Sequence, residues 1–221
     1  MAGKWKMTLR EWQNCIKPTD EYIIQASCTD GSDGWTEFPI GMGYGYMTLD
    51  KDDRMINGKH NKLVYNNFSL HTDKKRRNFS SVTRESTALL LEENGIRFQQ
   101  PVNFRVYYHM LPSYKFVISP EGNGIDCHRH YEALMAGCIP VIEDNHLVRE
   151  KYKGCPILYT EDYSEINEEY LEEKYNKMID KEYDFSMLSI SNYTLKQQEE
   201  IKRNGNYWCL RLAGLEAYPR L

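Results

Sequence analysis

The sequence predicts an α/β fold, and residues 116–144 are the main reason. Residues 116–119 form a short apolar run that suits a buried strand, and the proline and glycines that follow end it. A helical pattern begins near Asp126 and ends at Gly137, and residues 138–142 form a second buried strand. The order strand, loop, helix, strand is typical of a Rossmann-like parallel sheet.

The rest of the chain adds elements to this unit. Aromatic and β-branched runs predict strands, and runs with one apolar face between capping residues predict helices. In chain order, the predicted elements are a helical opening around Trp5 and Trp12, a strand at 22–26, a loop at 27–35, an irregular glycine-rich segment at 41–46, a strand at 62–68, a helix at 81–93, a short helix or edge strand at 103–110, a strand at 157–159, a helix at 167–178, and a last helix at 194–203 that ends at Asn204-Gly205.

The junction between the first buried strand and its helix is a candidate anion site. The N-terminus of a helix offers unpaired N–H groups and a positive dipole end, and Arg129 lies in the first turn. Glu132 lies three residues later on the same helix face, where it could accept hydrogen bonds from sugar hydroxyls. The predicted binding residues here are Ser119, Glu121, Gly122, Asn123, Gly124, Asp126, His128, Arg129 and Glu132. The competing interpretation is an ordinary βαβ unit with an exposed Arg129–Glu132 pair.

The same residues resemble a known family. Pro120 with Gly122, Arg129 with Glu132 and Ala133, and residues 137–142 resemble the donor-binding core of exostosin-type glycosyltransferases. A fainter likeness covers residues 62–193, and short relatives encoded by large DNA viruses are similar.

This resemblance implies a two-lobed, GT-B-type fold. Residues 1–57 would form a reduced N-terminal lobe on the acceptor side, residues 58–193 a Rossmann-like lobe that holds the nucleotide-sugar, and residues 194–221 a helix and tail that pack back on the first lobe. It also implies metal-independent, inverting transfer from a UDP-sugar to a hydroxyl of a glycan or glycoprotein acceptor. UDP-xylose is the first donor to test, ahead of UDP-glucose, UDP-galactose and UDP-glucuronate.

The resemblance implies two further roles, a cation at the diphosphate and a general base. The sequence does not decide which residues fill them. A cation from the loop after the first strand of this lobe should meet the diphosphate, and Arg76, Arg77 or Arg84 could supply it. Inverting transfer needs a general base, for which the loop carboxylates Asp30 and Asp33 are the candidates, with Asp20 or His71 next. Turn-forming aspartates and a solvated charge run are the structural alternatives.

Other classes of function remain open. Asp50-Lys51-Asp52 resembles the Asp-x-Asp motif of metal-dependent glycosyltransferases, which would require Mn²⁺. A non-catalytic module that binds nucleotide-sugar or glycan is another alternative. Zinc is disfavoured, because Cys127, His128 and His130 have no second closely spaced ligand pair.

Composition excludes some partners. Basic and acidic residues number 28 and 32, for a net charge of −4, so nothing global attracts nucleic acid or an anionic membrane. No window reaches the ~18 consecutive apolar residues of a membrane helix, and the first residues lack the apolar centre of a signal peptide. We therefore expect a cytoplasmic protein, in the host cytoplasm if it is viral. The metal-independent transfer that the resemblance implies predicts no bound cofactor, with the UDP-sugar as a co-substrate.

Overall fold

The structure, a computed structural model, describes residues 5–15, 38–50, 54–55, 57–74, 76–77 and 82–212, with backbone only at residues 44, 47 and 204–212. Its strands are β1 (Lys6–Thr8), β2 (Lys62–Tyr65), β3 (Tyr114–Ile118), β4 (Ile139–Glu143), β5 (Leu158–Thr160) and β6 (Glu182–Asp184). Its helices are α1 (Leu9–Asn14), α2 (Tyr44–Met47), α3 (Arg84–Glu93), α4 (Phe104–Met110), α5 (His128–Met135), α6 (His146–Lys151), α7 (Glu168–Met178) and α8 (Leu195–Leu212).

A four-stranded parallel sheet in the order β2-β3-β4-β5 organises the described residues. Val64 lies opposite Phe116, and Ile118 lies opposite Val141. Every residue of β4 is buried, as expected where both faces of a parallel sheet are covered. The predicted α/β class and parallel sheet are therefore confirmed.

The helix boundaries differ from the prediction for local reasons. Helix α3 begins at Arg84 because Thr83 and Ser86 form a reciprocal capping box. Helix α5 begins at His128, two residues later than predicted. Residues 103–110, predicted as a helix or an edge strand, contain helix α4, which Asn103 caps.

Helix α8 corrects the predicted end of the last helix. The helix continues to Leu212 instead of ending at Asn204-Gly205. A helical glycine costs roughly 1 kcal/mol relative to alanine but removes no hydrogen-bond donor, so it weakens a helix without ending it. Ile201 on this helix is buried in the core.

Residues 6–14, which form β1 and α1, pack against the core of the parallel sheet. Strand β1 pairs antiparallel with β6, which the sequence analysis did not predict. Trp12 stacks on Phe185 at 4.2 Å, and its indole N–H donates to Leu134 O at 2.8 Å. Leu9 and Trp12 belong to the same buried cluster as β3 and β4. The predicted domain limits, including the boundary at residue 57, stay a prediction.

None of the described helices combines the length and the apolar composition needed to cross a membrane.

Candidate functional site

Arg84 fixes the loop that follows β3. Its guanidinium donates to Glu121 O at 2.9 Å, to Pro120 O at 2.6 Å and to Ser69 O at 2.9 Å. Burial lowers the pKa of Arg84. A Cβ at Gly122 would lie 2.9 Å from Arg84 Nη2, so glycine allows the loop to approach this close. Arg84 thus binds backbone carbonyls in this structure, and its predicted role at the diphosphate stays a prediction.

A buried ion-pair network lies at the carboxyl ends of β3 and β4. Arg77 Nη2 donates to Glu121 Oε2 at 2.7 Å and to Glu143 Oε1 at 2.8 Å. Arg76 Nη2 lies 2.6 Å from the same Glu121 oxygen, and Tyr163 donates to Glu143 Oε2 at 2.9 Å. Burial alone would lower the pKa of Arg77, but the two carboxylates outweigh burial and raise it. Both basic-loop arginines are therefore engaged by protein carboxylates.

Ser119 and His130 form a buried pair beneath the loop. His130 Nε2 lies 3.2 Å from Ile125 O, which can only accept, so this nitrogen carries the proton. Nδ1 then accepts from the Ser119 hydroxyl at 2.7 Å. Burial lowers the pKa of His130, which keeps the ring neutral.

Asp126 joins three parts of the chain. Its carboxylate accepts from Tyr152 at 2.8 Å and from Ile40 N at 3.1 Å, and Lys151 Nζ lies 3.0 Å away. The side chains of Asp126 and Lys151 are almost completely buried. Asp126 therefore connects α6 and the segment at residues 38–43 to the start of α5.

Glu132 is buried and accepts three hydrogen bonds. Gly43 N and the Tyr108 hydroxyl donate to Oε1 at 3.1 and 2.7 Å, and the Tyr107 hydroxyl donates to Oε2 at 2.9 Å. Burial, and then the Glu132 charge, raise the pKa values of both tyrosines. Glu132 is only 5% exposed, which removes the competing interpretation of an exposed Arg129–Glu132 pair on this helix.

The contacts of Arg129 differ from those of Arg76, Arg77 and Arg84. Its guanidinium lies over the Tyr107 ring, 5.1 Å from the centroid, and its Nη1 is buried without a hydrogen-bond partner among the described residues. No side chain caps the N-terminus of α5. His128, one residue earlier, is exposed, and its Nδ1 lies 2.9 Å from Gly41 O.

The remaining predicted residues lie as follows. Gly122 N donates to Gly124 O at 3.0 Å, and Asn123 between them is exposed. Exposed His71 lies 2.9 Å from Glu85. Asp20, Asp30, Asp33 and Asp52 lie outside the described residues, whereas Asp50 is described and exposed.

Within the described part of the chain, no group of three or more histidine, cysteine, aspartate or glutamate side chains could hold a metal ion.

The contacts that segment 38–43 makes with α5 were not predicted from the sequence. Gly41 and Gly43 contact His128 and Glu132, and a Cβ at Gly43 would lie 2.9 Å from Glu132 Oε1. The alternating glycines at 41, 43 and 45 were the available signal, since glycine is common where a backbone approaches closely.

Comparison with protein families gives a match to the RXYLT1 C-terminal domain over residues 64–189. No individual curated protein matches the chain significantly. The match covers more than half of the chain and includes the last two residues of β2, strands β3 to β5 and the whole of α5. It confirms the predicted exostosin-like glycosyltransferase relationship and gives no support to a viral origin. The chain belongs to the RXYLT1 C-terminal domain family, and is thereby a relative of the glycosyltransferases.

Proposed function

We propose that the chain is a glycosyltransferase that binds a UDP-sugar at the N-terminus of α5 and transfers the sugar to a hydroxyl of a glycan or glycoprotein acceptor. The observation that carries this proposal is Arg129, whose buried Nη1 has no hydrogen-bond partner among the described residues. A buried donor without a partner costs roughly 1–3 kcal/mol, and a ligand that accepts its hydrogen bond removes this cost.

The surroundings of Arg129 suit a diphosphate. The first N–H groups of a helix have no partner within the helix, and the helix dipole favours an anion there. Helix α5 has no side-chain cap to compete with such an anion. Arg76, Arg77 and Arg84 instead hold the protein's own carboxylates and carbonyls, which supports Arg129 as the cation for the leaving group.

Glu132 is proposed to hold the ribose of the nucleotide. Among the described residues, its Oε2 accepts one hydrogen bond, from Tyr107, and a carboxylate oxygen can accept about two. A ribose hydroxyl could therefore donate to Oε2 while the contacts of Oε1 with Gly43 and Tyr108 persist. This arrangement would place the ribose within one helical turn of the phosphates at Arg129.

The family match supports a pentosyl donor, so UDP-xylose is the first donor to test. We propose inverting transfer on a GT-B-type architecture with a reduced N-terminal lobe, without a metal, since Arg129 and the helix N-terminus provide positive charge. A metal-dependent transferase and a non-catalytic nucleotide-sugar-binding module are the alternatives that the experiments should separate.

A thermal-shift panel tests the binding half of the proposal. UDP, UDP-xylose, UDP-glucose, UDP-galactose and UDP-glucuronate are each added with and without manganese, with GDP-mannose as the control nucleotide-sugar. At 100 times its dissociation constant a ligand stabilises the folded state by about 2.7 kcal/mol. Stabilisation by UDP compounds without manganese is expected, and no response to any of them would contradict the proposal.

Release of xylose from UDP-xylose in water tests the catalytic half. A transferase commonly transfers some sugar to water, whereas a binding module releases none. Binding without any release, for all four UDP-sugars, would favour the non-catalytic module.

A further inference from the structure

We infer that His128 is the general base that takes the proton from the attacking hydroxyl. This inference rests on the proposed function and adds a catalytic residue to it. It competes with the prediction that Asp30 or Asp33 has this role.

The hydrogen bond to Gly41 fixes the ring's tautomer. His128 Nδ1 lies 2.9 Å from Gly41 O, and a carbonyl oxygen can only accept, so Nδ1 carries a proton. In the neutral ring Nε2 then has an available lone pair. Because the side chain is exposed, this nitrogen can meet a hydroxyl from solvent or from a bound acceptor.

The backbone of the 41–43 segment also orients the ring. A Cβ built on Gly43 would lie 3.8 Å from His128 Cγ, so this segment passes against the imidazole without a side chain between them. The ring is thus held at Nδ1 by a main-chain acceptor, an arrangement that commonly orients a catalytic histidine.

His128 and Arg129 diverge from one helix turn. Successive helical residues project about 100° apart. Arg129 lies over Tyr107 of α4, whereas His128 points to Gly41 of segment 38–43. A sugar bound across this turn would have its phosphate beside Arg129 and the opposite face of its C1 atom toward His128. In-line displacement requires the base and the leaving group on opposite faces of C1, so the sugar would have to lie between the two side chains.

Two other described histidines, His71 and His130, are less suited to act as the general base. Both ring nitrogens of buried His130 are engaged, by Ser119 and Ile125 O. The ring of His71 pairs with Glu85, a residue of α3.

In the proposed step, the acceptor oxygen bonds to C1 of the sugar and its proton passes to His128 Nε2. The bond between C1 and the phosphate oxygen breaks, and the electron pair leaves with UDP beside Arg129. Water can replace the acceptor hydroxyl in the same step, which gives free sugar and UDP.

Hydrolysis of UDP-xylose by the full chain, measured together with UDP affinity, tests this role. The amide N–H of His128→Asn can still donate to Gly41 O, but this side chain has no nitrogen that takes up a proton. Removal of a general base commonly costs ~10²–10⁴ in rate, so we expect a fall of at least 100-fold with UDP affinity unchanged. Added imidazole should restore part of the activity of His128→Gly. His146→Asn, which alters an exposed histidine at the start of α6, should hydrolyse UDP-xylose at the wild-type rate.

Three results would overturn the inference, and they are distinguishable. A loss of UDP affinity in His128→Asn with an unchanged rate would make His128 a phosphate ligand instead. Near-normal hydrolysis by His128→Asn, with loss in Asp30→Asn or Asp33→Asn, would place the base on the predicted loop. Absence of hydrolysis by the wild type would refute the proposed activity and His128's role together, whereas a failure of His128 alone leaves the wild type active.

Discussion

Replacing Arg77 by methionine should lower the free energy of unfolding by about 3 kcal/mol. Removing one partner of a buried ion pair commonly costs ~3–5 kcal/mol, because the remaining charge is left buried. Arg77 binds two carboxylates whose side chains are at most 9% exposed. Glu121 keeps its contact with Arg76, whereas Glu143 loses its cation, which places the expected loss at the low end of the range.

Urea unfolding followed by far-UV circular dichroism measures this loss. For a chain of this size it corresponds to a fall in Tm of about 6–12 °C. Arg149→Met is the matched control, because Arg149 also binds a carboxylate through two nitrogens, but its side chain is 48% exposed. Exposed pairs contribute less than about 1 kcal/mol.

A second substitution separates the buried charge from lost packing. Adding Glu143→Gln to Arg77→Met removes the uncompensated carboxylate and should recover most of the stability. If Arg77→Met were as stable as Arg149→Met, the network would not hold the loop after β3, and the reasoning would be refuted.

Three further predictions concern titration, packing and metal. Because burial lowers the pKa of His130, the unfolded chain binds a proton below about pH 6.5 more readily than the folded chain does, so stability should fall by up to about 1.4 kcal/mol per pH unit as the pH drops below that value. His130→Gln should reduce this slope in urea titrations at pH 5.5 and 7.5, and an identical slope would assign the effect to other groups. Gly122→Ala should destabilise the chain by about 1–3 kcal/mol, since the new Cβ would lie 2.9 Å from Arg84 Nη2, and a variant of wild-type stability would show that the loop relaxes freely. Hydrolysis of UDP-xylose should persist in excess EDTA, and loss that manganese restores would favour the Asp-x-Asp reading.

The parallel sheet was predictable because its strands have local signatures. Residues 116–119 and 138–142 are apolar runs that end at turn residues, and the structure places β3 and β4 there. Strands β1 and β6 have three residues each and pair across most of the chain, so no local pattern marks them. Asn204-Gly205 resembles a helix end, but a helix ends where its hydrogen bonds and packing end, and α8 continues.

The position of the candidate site was predictable from the sequence, but the contacts of its side chains were not. Glu121, Asp126 and Arg77 are polar residues at loop ends, where a ligand-binding group and a buried ion pair have the same sequence signature. What separates them is the tertiary partner, such as Glu143 for Arg77 or Lys151 for Asp126. The contact of Gly43 with Glu132 joins residues 89 positions apart, and no spacing rule connects them.

Calorimetric titration of UDP into wild type and Arg129→Ala tests the central claim most directly. A charge-assisted hydrogen bond contributes roughly 1.5–3 kcal/mol, so the variant should bind UDP about 10- to 150-fold more weakly. Arg97→Ala, which removes an exposed arginine after α3, should bind UDP with wild-type affinity. Wild-type affinity in a folded Arg129→Ala variant would contradict a diphosphate site at the N-terminus of α5.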